Sequence, residues 1–199
     1  MRNFKQFLKE EDFPEFNIGF ADREARGQLS YYMLDKRIPK HIGKLEADAV
    51  DLTSLQGGPE RVLTIFNVKD NNLRDLKGGP THVGTYFCRN NGLTSLEGAP
   101  EFCGTFNCAD NDITSLAGIG SKYLQRCNDL VLTHNPIKGR ILGTLKIKDL
   151  RSLSFDVGLP QEAVKAFVIL LPYLIKTERD ILDAQEELLD AGLDDYARL

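Results

Sequence analysis

Apolar positions recur along the middle of the chain with a period of 20 residues. Three units align: Leu63-x-x-Phe66-x-Val68-x-x-Asn71-x-Leu73-x-x-Leu76, Val83-x-x-Tyr86-x-Cys88-x-x-Asn91-x-Leu93-x-x-Leu96 and Cys103-x-x-Phe106-x-Cys108-x-x-Asn111-x-Ile113-x-x-Leu116. A fourth, Cys127-x-x-Leu130-x-Leu132-x-x-Asn135-x-Ile137, follows at an offset of 24, which places an insertion of four residues near Ile119 to Leu124. Ahead of each asparagine the apolar positions alternate, as in a strand with one buried face. Units this short cannot bury that face alone, so they stack, and stacked strands form a parallel sheet. Gly-Gly-Pro at residues 57–59 and 78–80, and Gly-Ala-Pro at 98–100, recur in register. Glycine accepts positive φ and proline fixes φ, so these are sharp corners. Little chain remains for the return path, which is expected to be turns and extended segments.

The flanks read as atypical ends. Val50 and Leu52 predict an entry strand leading to Leu55. Leu142-x-x-Leu145-x-Ile147 and Leu150-x-x-Leu153-x-Phe155 predict one or two degenerate strands, for four to six in all. An exposed end repeat shows an apolar cross-section and needs a cover. Residues 22–35 predict a helix with Ala25, Leu29, Tyr32 and Met33 on one side. Pro160 opens a second helix carrying Val164, Phe167, Val168 and Leu171, which Pro172 ends or kinks. A third runs from about Asp180, with Ile181, Leu182, Gln185, Leu188 and Leu189 at helical spacing and Gly192 at its stop. The division is residues 1–48, an N-terminal helical cap, 49–156, the repeats, and 157–199, a C-terminal helical cap.

The repeating unit resembles the leucine-rich repeat, with aromatics and cysteines in place of some leucines. The resemblance implies an α/β solenoid in which Asn71, Asn91, Asn111 and Asn135 form a ladder, bonding backbone groups of neighbouring turns. Together with the ending from Asp180 to Leu199, the repeats resemble uncharacterised leucine-rich-repeat proteins of tailed bacteriophages, over residues 50–199. This implies a phage origin and a repeat fold; it supplies no activity. Bacterial effector ligases share 20-residue repeats but add a catalytic domain with a nucleophilic cysteine, and the residues after these repeats contain none. Met1 to Glu10 resembles the capsid-targeting peptide of internal head proteins in T-even-type phages. Leu8-Lys9-Glu10 fits the aliphatic-x-Glu rule of their processing, which implies cleavage after Glu10. The plain alternative is an amphipathic start with Phe4, Phe7 and Leu8 packed on the first repeat.

Charge alters this picture little. The net charge is −4. Residues 177–199 hold eight acids against Arg179 and Arg198, a balance of −6 that leaves +2 for the rest. No overall basic field draws in nucleic acid. The longest apolar run, residues 166–171, is about a third of the ~20 residues a membrane span needs. Met1 to Glu10 has no secretory h-region. An intracellular protein follows, in the host cytoplasm or the virion head.

Candidate chemistry is sparse. The four cysteines lie between residues 88 and 127, at buried strand positions. Cys103-x4-Cys108 and Cys127-x6-His134 match no common zinc spacing, so the cysteines are assigned to the core, with no metal and no cofactor. A Cys88–Cys108 disulfide is disfavoured in a reducing compartment. His41, His82 and His134 have no nucleophile or carboxylate at a motif spacing. There is no P-loop, G-x-G-x-x-G or H-E-x-x-H. The chain is therefore not expected to be an enzyme.

The informative residues are those pointing away from the core. Ile65, Asn67 and Lys69, then Thr85, Phe87 and Arg89, then Asn107 and Val131 are expected to line the open strand face as the partner-binding surface. Phe87, between Asn67 and Asn107 and near Lys69 and Arg89, has the composition of a hot spot; the alternative is that a cap or loop covers it. Such a face is about 20 Å by about 13 Å. That is well short of the ~800 Å² per partner of a standard interface, so a tight partner must also touch caps or loops. The expected function is non-enzymatic binding of a phage or host protein by a monomer or weak oligomer; the alternative is a packaged virion protein delivered to the host.

Overall fold

The computed structural model describes residues 13–18, 39–156, 159–175 and 180–199. The helix expected at 22–35 and the candidate processing residues Leu8 and Glu10 lie outside them. The described residues form a parallel β-solenoid with two C-terminal helices. Eight strands form one sheet: β1 Glu15–Asn17, β2 His41–Ile42, β3 Lys44–Glu46, β4 Arg61–Asn67, β5 His82–Phe87, β6 Phe102–Asn107, β7 Arg126–Val131 and β8 Ser152–Ser154. The order is β1-β3-β4-β5-β6-β7-β8, with β2 also on β4.

The twenty-residue period holds because equivalent side chains stack inward. Leu45, Phe66, Tyr86, Phe106, Leu130 and Leu153 are successive register partners. The Phe66 and Tyr86 ring centroids are 4.9 Å apart, and those of Tyr86 and Phe106 5.5 Å. All three rings are fully buried, and at this size each dominates the packing of its turn.

The expected asparagine ladder is present. Asn111 Oδ1 accepts from Leu93 N at 3.1 Å, and its Nδ2 donates to the carbonyls of Cys88, Cys108 and Ala109 at 3.0–3.1 Å. Asn135 serves Ile113 N and the Cys108, Leu132 and Thr133 carbonyls in the same way. Each amide thus joins backbone groups of two turns, supplying the acceptor for an inward-facing amide of the preceding turn and a share of the donors to the carbonyls. The residue before each ladder asparagine is left-handed: Asp70, Asn90, Asp110 and His134 have φ of 50–57°. Short polar side chains tolerate this better than apolar ones. The corner glycines share a second left-handed site; at Gly98, φ is 86° and a Cβ would lie 2.3 Å from the Leu76 carbonyl carbon.

Several local expectations are corrected. Val62, not Leu63, pairs with Val83, because β4 is one residue longer than its neighbours and its register shifts between Val62 and Ile65. The extra residue leaves Leu63 half-buried on the outer side. Val50 and Leu52 are buried but belong to no strand. They follow β3, so a further turn built on Ile42, Leu45 and Ala47 precedes the first recognised unit, and Val50 occupies its asparagine position. Asn71 Oδ1 accepts from the amides of Val50 and Leu52 at 3.1 and 2.9 Å. Leu142 and Leu145 lie in a short 3-10 helix, Leu142–Lys146, rather than a strand.

The helices α1, Gln161–Leu174, and α2, Ile181–Asp190, follow the repeats. Pro160 caps α1, which continues through Pro172. Its buried face is Ala163, Ala166, Phe167, Leu170 and Tyr173, with Phe167 stacked on Phe155 at 4.2 Å. Val168 and Leu171, expected inside, are 56% and 43% exposed. The buried face, which carries two alanines beside Phe167, Leu170 and Tyr173, is on a helix that contacts both α2 and the 3-10 helix. Asp180 accepts from the amides of Leu182 and Asp183 and caps α2, whose buried residues are Ala184 and Leu188. Leu182 and Leu189 face out. No helix among the described residues is long and apolar enough to cross a membrane.

Candidate functional site

The sheet's outer face carries two surfaces. The first is the one read from the repeats. Ile65, Thr85, Thr105 and Asp129 form one register row, and Asn67, Phe87, Asn107 and Val131 form the next. Phe87 is partly exposed at the centre of its row. Its neighbours are already engaged: Asn67 is buried and donates to Glu46 Oε2 at 2.6 Å. Asn107 Oδ1 accepts from Ala109 N at 3.1 Å. Past the strand ends, exposed Arg89 meets Asp110 at 3.6 Å, and His134 Nδ1 lies 2.7 Å from Asp110 Oδ1 and its Nε2 3.3 Å from Asp156 Oδ2. Lys69 is half-buried on the same edge. All eight expected binding residues therefore share this face, with Phe87, Ile65, Thr85 and Val131 partly exposed along it and Arg89, paired with Asp110, at its edge.

The second surface lies at the strand starts, and the sequence assigns none of its outer residues a binding role; His41 and His82 enter there only as catalytic candidates. His41, Arg61, His82, Phe102 and Arg126 are successive register partners, and Arg126 bridges on to Lys148. The His82 and Phe102 rings stack at 4.5 Å with 23° between their planes. Thr81 Oγ1 is 3.0 Å from His82 Nδ1. Partial burial, then the nearby Arg61 charge, hold His82 below its ordinary pKa. Arg126 lies 3.7 Å from Asp149.

Two residues further along, Gly84 and Gly104 replace side chains. A Cβ at Gly84 would sit 2.5 Å from the Thr64 carbonyl oxygen, and one at Gly104 2.5 Å from that of Gly84. Only glycine permits this close approach of strands. A groove of about 510 Å³ lies here, lined among others by Phe13, Leu63, Val83, Phe102, Cys103 and the two glycines. The one trace in the sequence is the recurrence of a glycine directly before Thr85 and Thr105, with Arg or His at the head of four strands.

The four thiols are free and buried. Burial pushes each of them up, Cys127 to about 12 and Cys88 and Cys103 well above the usual thiol range. As thiols rather than thiolates they are poor nucleophiles and metal ligands. Among the described residues no group of three His, Cys, Asp or Glu side chains converges to hold a metal. What the outer face offers is shape, partly exposed apolar surface and guanidinium charge. A scan of protein-family models, a search of curated proteins and a search of solved structures each find no match to this chain.

Proposed function

We propose that the chain is a non-enzymatic interaction module that binds a phage or host protein through the outer face of β4–β7. The observation that carries this reading is the placement of Phe87. It sits at the centre of a parallel sheet with part of its ring exposed, between Asn67, which donates to Glu46 of the neighbouring strand, and Asn107, which accepts from Ala109 N of its own turn. A pre-organised aromatic beside an exposed arginine loses little entropy on binding, which is where interface energy concentrates. The phage or host assignment follows the sequence resemblance. The small area of the face implies that the partner also contacts flanking loops such as the Arg89–Asp110–His134 edge.

The test is affinity purification from the cells in which the protein is made, with wild type, Phe87→Ala/Arg89→Ala and Leu182→Asp compared at equal thermal stability. The proposal expects a specific protein retained by wild type and Leu182→Asp and lost with the double variant. Equal recovery by all three would overturn the assigned face.

A further inference from the structure

We infer that Asn91–Gly92 is a self-modifying site, at which the ladder asparagine cyclises onto the next backbone nitrogen and becomes aspartate and isoaspartate. The inference is independent of the protein-binding reading, because it concerns the ladder and uses no side chain of the outer face.

Three observations converge. The first is the residue after each ladder asparagine. Asn71 is followed by Asn72, Asn91 by Gly92, Asn111 by Asp112 and Asn135 by Pro136. The attacking atom is the nitrogen of that following residue. Proline has no N–H to give up. The side chains of Asn72 and Asp112 crowd the approach, whereas glycine leaves it open. No other asparagine of the chain precedes a glycine. The second is that the fold does not demand this glycine. A Cβ on Gly92 would meet only the Leu73 carbonyl oxygen, at 3.5 Å, an ordinary contact, and its φ is not left-handed. Close approach accounts for Gly84, Gly98 and Gly104 but not for Gly92.

The third observation is access. Asn71, Asn111 and Asn135 are buried, while Asn91 is half-buried. A polar hollow of about 520 Å³ opens over Asn91 and Gly92, lined among others by Asp70, Asn72, Arg74 and Asn90. Solvent therefore stands beside the amide. Asn91 accepts from Leu73 N and donates to the Val68, Cys88 and Arg89 carbonyls at 3.0–3.2 Å, and Gly92 N donates to Leu73 O at 2.9 Å. These bonds must open before the ring can close. A half-buried turn under a polar hollow opens at lower cost than a turn sealed in the core.

The chemistry is redox-neutral and needs only water. Gly92 N loses its proton to solvent base and bonds to Asn91 Cγ. The Cγ–Nδ2 bond breaks, and Nδ2 takes a proton from water and leaves as ammonia. Water then opens the cyclic imide. Cleavage between Cγ and the nitrogen gives aspartate. Cleavage between the Asn91 carbonyl carbon and the nitrogen gives isoaspartate, with the chain rerouted through the former side chain. Either product lacks the Nδ2 donor to the Val68, Cys88 and Arg89 carbonyls and carries a new carboxylate, which only accepts. Conversion therefore loosens the ladder at this turn.

The experiment incubates the whole folded chain in mildly alkaline buffer made with heavy-oxygen water, followed by peptide mapping that separates aspartate from isoaspartate. Asn91 should convert before every other asparagine, with heavy oxygen incorporated at residue 91 and isoaspartate among the products. Gly92→Ala should slow the conversion severalfold, with a melting temperature unchanged or raised, because alanine fits there without strain. The converted fraction should unfold at a lower urea concentration than the intact chain. Earlier conversion at another asparagine, equal rates in wild type and Gly92→Ala, or aspartate without isoaspartate would each overturn the inference. So would an intact Asn91 in the folded chain after the guanidinium-unfolded chain has converted fully, since the ladder would then lock the residue.

Discussion

The Tyr86 hydroxyl is packed against Gly79 so closely that a Cβ on that glycine would come within 2.8 Å of it. It is fully buried and has no hydrogen-bond partner among the described residues. The register partners on either side, Phe66 and Phe106, fill the same position without a hydroxyl. A buried, unpaired hydroxyl costs desolvation with nothing in return. Tyr86→Phe should therefore stabilise the fold by about 1 kcal/mol, a rise in melting temperature of roughly 2–4 °C for a chain of this size. Differential scanning calorimetry checks it; a fall in melting temperature would mean the hydroxyl has a partner in solution.

The ladder predicts the opposite sign. Asn111 is buried and pairs one amide and three carbonyls across two turns. Asn111→Ala leaves the Leu93 amide without its acceptor and takes one of two donors from each of the Cys88, Cys108 and Ala109 carbonyls, which keep Asn91 Nδ2, Asn135 Nδ2 and Asn90 N, so a loss of roughly 2 kcal/mol is expected. Asn91 makes the equivalent bonds to Leu73 N and the Val68, Cys88 and Arg89 carbonyls, but is only half-buried. Water can take over part of its work, so Asn91→Ala should cost about half as much. Urea unfolding midpoints of the two variants give the ranking, and equal losses would contradict it.

This contrast also explains what could be read in the sequence. The solenoid was legible because inward positions obey one rule at every turn: Phe66, Tyr86 and Phe106 must stack, and Asn71, Asn91, Asn111 and Asn135 must reach back to the turn before. The turn ahead of them was hidden because its ladder position is Val50. A ladder amide serves the preceding turn, and among the described residues only the short β1 precedes that one, so an apolar side chain suffices. The shift at Val62 was hidden because the extra residue, Leu63, is itself apolar and fits the pattern one place along. On α1, apolar residues run round more than one side, so periodicity alone did not separate the buried Phe167 and Leu170 from the exposed Val168 and Leu171. The row from Arg61 to Arg126 obeys no packing rule, so nothing in the period distinguishes it from ordinary surface until the register places its members side by side.

The thiols give a third test. Burial pushes all four up, Cys127 to about 12. Alkylation requires the thiolate and access to it. In the folded protein at about pH 8, iodoacetamide should modify all four at least about a hundredfold more slowly than in the urea-unfolded chain. Intact-mass spectrometry follows the labelling. Rapid modification of Cys103 in the folded state would show that the floor of the groove opens.

Acid should weaken the fold through His82. Its pKa in the folded protein lies below the ordinary value of 6.5, first because burial disfavours the charged ring and then because Arg61 is near; Glu101 opposes both. A depressed histidine means that the unfolded chain binds the proton first as pH falls. The stability it contributes is full above about 6.5, declines as pH drops from there through the lower folded-state value, and is not regained below it. His82→Phe keeps a ring against Phe102 and removes the proton. Urea midpoints at about pH 7.5 and about pH 5.5, above the carboxylate range, should fall for wild type and fall less for His82→Phe. The two proteins should be nearest in their acid response where His82 is already neutral in both states, above about pH 7.5. An identical drop in both would assign the acid sensitivity to other groups and leave the His82–Phe102 stack indifferent to protonation.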